Sequence, residues 1–220
     1  MKICVIIPVH NESQNIGGLV EQLRSENLDV VVIDDGSKDG SGQIAKTKGA
    51  VVITHAQKKG KGASLRDGFE YAVKQNYDGV VVMDGDGQHD VADVGQFIAK
   101  AKEKKADVVV GTRMGNPKGM PWLRLWVNWS MSMLLSKVCG QRIPDTQCGF
   151  RFVSTEALRA VNLSSNDFEI ESELLVQASK KGFTIESVPI RTIYRNELSK
   201  INPLLDTVRF FAYLLRAARD

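Results

Sequence analysis

Val80-Val81-Val82-Met83-Asp84-Gly85-Asp86-Gly87-Gln88-His89-Asp90 is an apolar run that ends abruptly in carboxylates and glycines. Its β-prone residues, bounded by Gly79 and Gly85, predict a buried central parallel strand covered on both faces. Ligands of open α/β sheets bind just past the carboxyl ends of such strands. Asp84 and Asp86 stand two apart, so in extended chain their side chains leave on the same side. Two carboxylates that close repel unless a cation or a base sits between them. Oxygen ligands suit a hard cation, Mg2+ or Mn2+, and Gln88 adds a neutral oxygen on the same edge. Asp84, Asp86 and Gln88 are therefore candidate metal ligands, and Asp90 is read as the N-cap of the next helix.

Competing readings of this loop are weaker. An EF-hand would need Gly at His89 and Glu at Gly95. A phosphatase of the haloacid dehalogenase type, with Asp84 as nucleophile, is the serious competitor, but there the motif usually opens the chain and Gln88 stands in the wrong place. Gly60-Lys61-Gly62-Ala63-Ser64 lacks the earlier glycine of a P-loop.

The 220 residues, 43% hydrophobic and 25% charged, fit one globular domain with no low-complexity linker. The formal charge is +3, and from Pro189 onward six Arg or Lys face Glu197, Asp206 and Asp220, so the tail carries the whole surplus. That field is too sparse for a nucleic-acid protein and suits ligand phosphates or an anionic membrane surface. Cys4, Cys139 and Cys148 have no metal spacing and are read as reduced, packed thiols in a cytoplasmic protein. No run reaches the roughly 18–20 apolar residues of a spanning helix, and the first residues are too soon polar for a signal peptide.

In chain order, strands are expected at 3–8, 29–33, 51–54, 80–83 and 108–111, with helices between them. Ser13 is the expected cap of the first helix and Ser154 of a later one. The alternation implies a mostly parallel central sheet with helices on both faces. Its strands end in His10, Asn11 and Glu12, in Asp34 and Asp35, in Asp84, Asp86 and Gln88, and in Thr112 and Arg113. Turns have no need of so many carboxylates and an Arg, so these ends mark a site. A strand is also expected over 188–194, and acidic Phe168-Glu169-Ile170-Glu171 is placed toward the far side of the sheet. His55 and His89 are read as ordinary surface or loop histidines.

Several motifs, in order, resemble the inverting family 2 glycosyltransferases of GT-A fold, within them the dolichyl- or polyprenyl-phosphate mannose and glucose synthases. They are Pro8-Val9-His10-Asn11-Glu12, Asp34-Asp35-Gly36-Ser37, Lys59-Gly60-Lys61-Gly62, Asp84-Gly85-Asp86-Gly87-Gln88-His89, Gly111-Thr112-Arg113, Asp145-Thr146-Gln147-Cys148-Gly149-Phe150-Arg151 and Phe168-Glu169 with Glu171. The family usually has Tyr at His10 and Pro at Val91.

The resemblance implies one domain over 1–220, with a nucleotide-sugar and metal half (1–115) and an acceptor half (116–220). Pro8, His10 and Glu12 would line the nucleotide, Ile33 and Asp35 would hold base or ribose, and Asp84 with Gly85 would support ribose and sugar. Asp86 and Gln88, beside Asp84, would ligate Mg2+ or Mn2+, while Arg113, Arg195 and Lys200 would neutralise phosphate charge. The donor would be a nucleotide sugar such as GDP-mannose or UDP-glucose, the acceptor a polyprenyl phosphate on the cytoplasmic face. Many family members carry membrane spans after this domain, which leaves room for a separate membrane subunit.

Alternatives stay open at this stage: transfer to a saccharide hydroxyl, with Asp145 as general base, the phosphatase, or a metal-dead binding subunit. Asp145 is read equally well as a loop-holding group or a partner of Arg151. The 196–200 stretch reads as a lid or as a plain connector. Two helices, 122–138 with Trp122, Trp126, Trp129 and Met133 along one face, and 204–219, suit either ordinary packing or a lipid interface.

Overall fold

The computed structural model describes residues 1–114 and 122–191. Valine and isoleucine runs, stiff at Cβ and at home in extended backbone, build a seven-stranded sheet of order β3-β2-β1-β4-β6-β5-β7. The strands are β1 (Ile3–Val9), β2 (Asp29–Asp34), β3 (Val51–Thr54), β4 (Gly79–Val82), β5 (Val108–Thr112), β6 (Arg151–Ser154) and β7 (Ile185–Pro189). β6 runs antiparallel to both β4 and β5, and the other described pairs are parallel.

That one reversal organises the site. Because β6 is antiparallel between β4 and β5, the carboxyl ends of β1, β2, β4, β5 and β7 share one edge. The loop entering β6, with Asp145 to Phe150, arrives at the same edge.

Helices α1 (Ile16–Ser25), α2 (Ser41–Thr47), α3 (Lys61–Lys74), α4 (Val94–Lys104), α5 (Trp122–Cys139), α6 (Thr155–Ala160) and α7 (Ile170–Lys180) cover both faces. Side chains alternate along each strand. Ile6, Ile33, Val80 and Val82 meet Leu65 and Phe69 of α3 and Leu174 of α7 on one side. Val5, Ile7, Val32 and Val81 meet Leu19, Val20 and Leu23 of α1 and Phe97 of α4 on the other.

Ser154 caps α6 by accepting from the Ala157 N–H, and Asp90 accepts from the Ala92 N–H ahead of α4. Ser13 does not cap α1: the helix starts after Asn15 with no side-chain cap, and the Ser13 N–H is taken by Asp39 Oδ2 at 2.9 Å. The last strand lies earlier than expected, over Ile185–Pro189, because pairing with β5 fixes its register from Val108↔Ile185 to Thr112↔Pro189. Residues 192–194 of that expectation, the 196–200 stretch and the 204–219 helix lie outside the described residues.

Cys4, Cys139 and Cys148 are buried and unpaired with one another. Burial pushes the Cys4 and Cys148 thiols up to about 12, which makes them inert packing groups. No described helix is long and apolar enough to cross a membrane.

Helix α5 buries Met131, Leu135 and Cys139 in the core, yet the same inner face also carries polar residues while large apolar ones face outward. Trp122, Trp126, Trp129 and Met133 are 77%, 66%, 55% and 57% exposed, while Asn128 and Ser132 are buried at 4% and 5%. The polar stripe faces the protein because it has partners there: Asn128 Nδ2 donates to Asp145 at 2.9 Å, and Ser132 Oγ accepts from the Thr146 N–H at 3.1 Å. The side chains of Leu123 and Arg124 lie outside the described residues.

Candidate active site

The loop after β4 is held from three sides. Lys61, the first residue of α3, places its ammonium 2.6 Å from Asp84 Oδ1 and 2.7 Å from Glu171 Oε1 of α7. Glu171 thus belongs to the site edge rather than the far side of the sheet, because the turn into α7 carries it under Lys61. His89 Nε2 lies 3.4 Å from Asp84 Oδ2, and its ring packs 4.9 Å from that of Phe150.

Gly149 makes this geometry available. A Cβ there would lie 2.6 Å from Asp84 Oδ2 and 3.0 Å from Lys61 Nζ, so the loop entering β6 can press its backbone against the pair only as glycine. Gly60 and Gly62 do the same on the other side, where a Cβ would run into the Asn166 and Ser165 carbonyls.

Electrostatics separate the two carboxylates. Burial alone would raise the Asp84 carboxyl, but the Lys61 charge and the His89 contact hold it well below the usual carboxylate range. Burial raises the Asp86 carboxyl, and the neighbouring Asp84 and Glu12 charges add to it. A buried carboxylate repelled by two others suits a cation: a positive ion beside it would offset that repulsion. Asp86 Oδ1 also accepts from the Gln88 N–H at 3.0 Å, which folds the Gln88 backbone back beside that carboxylate. Residues Asp86 and Gln88 therefore fit a divalent ion completed by ligand oxygens, with Asp84 already engaged by Lys61. Among the described residues no group of three His, Cys, Asp or Glu forms a ready-made cage.

At the neighbouring strand end, Arg113 follows β5 and meets Asp145. Its Nε and Nη2 donate to Oδ2 and Oδ1 at 2.8 and 2.9 Å, and its own backbone N–H donates to Oδ2 at 3.1 Å. Asn128 and the Gln147 N–H complete the shell of Asp145. Burial opposes ionisation there, but the Arg113 hydrogen bonds and charge and the Asn128 bond hold Asp145 below the ordinary carboxylate range. Arg151 is not its partner: that guanidinium is buried elsewhere, donating to the carbonyls of Cys148, Thr146 and Glu171.

The remaining expected positions fall on the same edge. Pro8 is in β1 opposite Ile33 of β2, and Gly85 opens the loop after β4 with no room for a Cβ against Val9. His10 Nδ1 donates to the Asp35 carbonyl at 2.8 Å, and the Glu12 backbone N–H donates to Ser41 Oγ at 2.8 Å. Asp35 is buried, accepting from His55 Nδ1 and from the Lys59 and Gly60 N–H groups. Arg195 and Lys200 lie outside the described residues.

Lys61, Asn128 and His55 have site contacts that their places in the sequence did not assign to them. Lys61 left a trace, standing between two glycines in the Lys59-Gly60-Lys61-Gly62 motif at the start of α3. Asn128 and Ser132 sit in a helix whose aromatics pointed attention to the other face.

Residues 4–161 match the model of glycosyl transferase family 2. The UDP-N-acetylglucosamine–dolichyl-phosphate N-acetylglucosaminyltransferase of Methanococcus voltae is 32% identical, with 87% of this chain and 86% of that protein covered. The undecaprenyl-phosphate mannosyltransferase of Micrococcus luteus is 28% identical over 89% of this chain and 85% of that protein. Among solved structures, glucosyl-3-phosphoglycerate synthase from Mycobacterium tuberculosis, crystallised with Mn2+, UDP and glucosyl-3-phosphoglycerate, superposes with a TM-score of 0.75 at 19% identity, covering 98% of this chain and 79% of that one. The family match removes the phosphatase reading, in which Asp84 would attack phosphorus. With its mostly parallel sheet, its covered faces and its strand ends gathered at one edge, the chain belongs to glycosyl transferase family 2 and is a glycosyltransferase of GT-A fold.

Proposed function

We propose that this enzyme moves a hexose, with inversion, from a nucleotide diphosphate sugar to a polyprenyl phosphate at the cytoplasmic membrane surface, using Mg2+ or Mn2+ held by Asp86 and Gln88. The observation that carries this reading is the Arg113–Asp145 pair. It places a guanidinium at the sheet edge that carries Asp84 and Asp86 and occupies the carboxylate a hydroxyl acceptor would need as base.

A phosphate acceptor needs no base. With a second pKa of roughly 6 it is mostly dianionic at neutral pH. Its oxygen attacks the anomeric carbon as the bond to the diphosphate breaks, and a nucleoside diphosphate leaves. A bound divalent ion would stabilise the charge that builds on the departing oxygen. Lys61 fixes Asp84 against the ribose and sugar, and Arg113, oriented by Asp145, brings a guanidinium charge to the phosphate.

The outward Trp face of α5 supports the lipid side of the proposal. Trp122, Trp126, Trp129, Val127 and Met133 are five of the seven exposed large hydrophobic residues among those described, gathered on one helix. Trp126 and Trp129 lie with ring centroids 6.2 Å apart. Amphipathic rings of this kind favour the headgroup level of a bilayer. The named activities of the Methanococcus voltae and Micrococcus luteus relatives, both on lipid phosphates, point the same way.

The test is a panel of labelled GDP-mannose, UDP-glucose and UDP-N-acetylglucosamine with Mn2+ or Mg2+ and a short polyprenyl phosphate, beside Asp86→Ala. Label from one donor should enter the organic phase, and the variant should transfer none. Transfer only to soluble sugars would contradict the acceptor.

A further inference from the structure

His55, read from the sequence as an ordinary loop histidine, is buried, with its side chain 3% exposed. Its Nδ1 lies 2.7 Å from Asp35 Oδ1 and its Nε2 lies 2.8 Å from Asp67 Oδ2. The imidazole is thus held between two carboxylates, one at each ring nitrogen. The His55 backbone is pinned too, its N–H donating to the Asp34 carbonyl at 2.9 Å.

The same Asp35 carboxylate binds the next stretch of chain. Oδ1 accepts from the Lys59 N–H at 2.7 Å and Oδ2 from the Gly60 N–H at 2.9 Å. Gly36 lies so close beneath that a Cβ would sit 2.8 Å from the Lys58 nitrogen. Asp35 is thus the hub that sets where residues 55–60 run, and hence where Lys61 begins α3 and reaches Asp84.

We propose that His55, backed by Asp67 of α3, is a positioning residue for the donor: it fixes the Asp35 carboxylate and, through it, the 57–61 loop that presents Lys61 to Asp84. This rests on the reading that Asp35 and Asp84 line the nucleotide-sugar site. The Asp67 side chain is 40% exposed and, among the described residues, it reaches the site through the His55 imidazole. A histidine with one carboxylate at each nitrogen is oriented by the far one, as second-layer carboxylates orient functional histidines generally.

The experiment compares wild type, Asp67→Asn, Asp67→Glu, His55→Asn and Asp35→Asn, reading Kd for UDP and GDP with Mn2+ by calorimetry. KM and kcat are read for whichever donor the panel selects, and Tm for each variant. Asp67→Asn should raise donor KM and nucleotide Kd roughly fivefold to tenfold, the loss expected when one charge-assisted bond is weakened at a distance. Its kcat should stay within about twofold and its Tm close to wild type, and Asp67→Glu should restore binding. His55→Asn should weaken binding at least as much, and adding Asp67→Asn to it should cost nothing further. Wild-type KM and Kd in Asp67→Asn, with Asp35→Asn impaired, would overturn the role of His55 and leave the donor site standing. Unchanged nucleotide binding in folded Asp35→Asn would overturn both.

Discussion

Asp145, fully buried, grips Arg113 through two parallel hydrogen bonds of 2.8 and 2.9 Å and receives a third from Asn128 at 2.9 Å. The bond to Asn128 joins the sheet edge to the very helix whose outer face carries the exposed tryptophans. The outer face of α5 is therefore one hydrogen bond away from the carboxylate that aims Arg113.

Asp145→Asn keeps the shape and removes the charge. We expect kcat/KM for the acceptor to fall by about 10–100-fold, the range of a disrupted charge-assisted pair, and Arg113→Ala to fall similarly with little further loss in the double variant. The rise of rate with pH set by the acceptor phosphate should persist in Asp145→Asn. Disappearance of that limb would restore Asp145 as a base.

The same variant has a stability signature. The folded-state Asp145 carboxyl lies below its unfolded value of about 3.9. Its contribution is therefore present above that value and lost as pH falls through the folded one. Asp145→Asn should be less stable than wild type by about 2–4 kcal/mol at pH 7, with the gap closing below about pH 4 in chemical denaturation.

Gly149→Ala tests the close approach of backbone to the Lys61–Asp84 pair. A methyl 2.6 Å from Asp84 Oδ2 must push that carboxylate aside. Activity should drop more than about tenfold although the site loses no functional group, since small misplacements are costly in catalysis. Full activity would show that Asp84 need not stay where Lys61 holds it.

Trp126→Ser with Trp129→Ser should leave Tm unchanged, because both rings are already exposed. Sedimentation with anionic liposomes should weaken by at least about tenfold, given roughly 1.5–3 kcal/mol for burying one large apolar side chain. Turnover of a short, water-soluble polyprenyl phosphate should survive. Equal sedimentation by variant and wild type would contradict a bilayer role for α5.

Strands β1 to β5 were legible because Val and Ile runs end in polar or charged residues, and the site edge because those runs end at the same place. β6 was not: Arg151 opens it, only four residues form it, and its direction is set by neighbours distant in sequence. The inward turn of α5 was hidden for a related reason. Periodicity finds two faces of a helix, but which face is inside depends on what meets it from beyond the helix: Asp145 and Thr146 for Asn128 and Ser132, and the core for Met131 and Leu135. Likewise the motif around Lys61 could be recognised, while its meeting with Glu171, 110 positions away, needed the fold.

Asp86 gives the most direct measurement. Its carboxyl is raised by burial first and then by the charges of Asp84 and Glu12, so protons compete with a cation there more than at an ordinary Asp, and affinity should climb with pH. Crystals soaked with MnCl2 and UDP should show one anomalous peak bonded to Asp86, Gln88 and the diphosphate, with Lys61 still on Asp84. A peak elsewhere, or none at Asp86 while UDP is bound, would contradict the account.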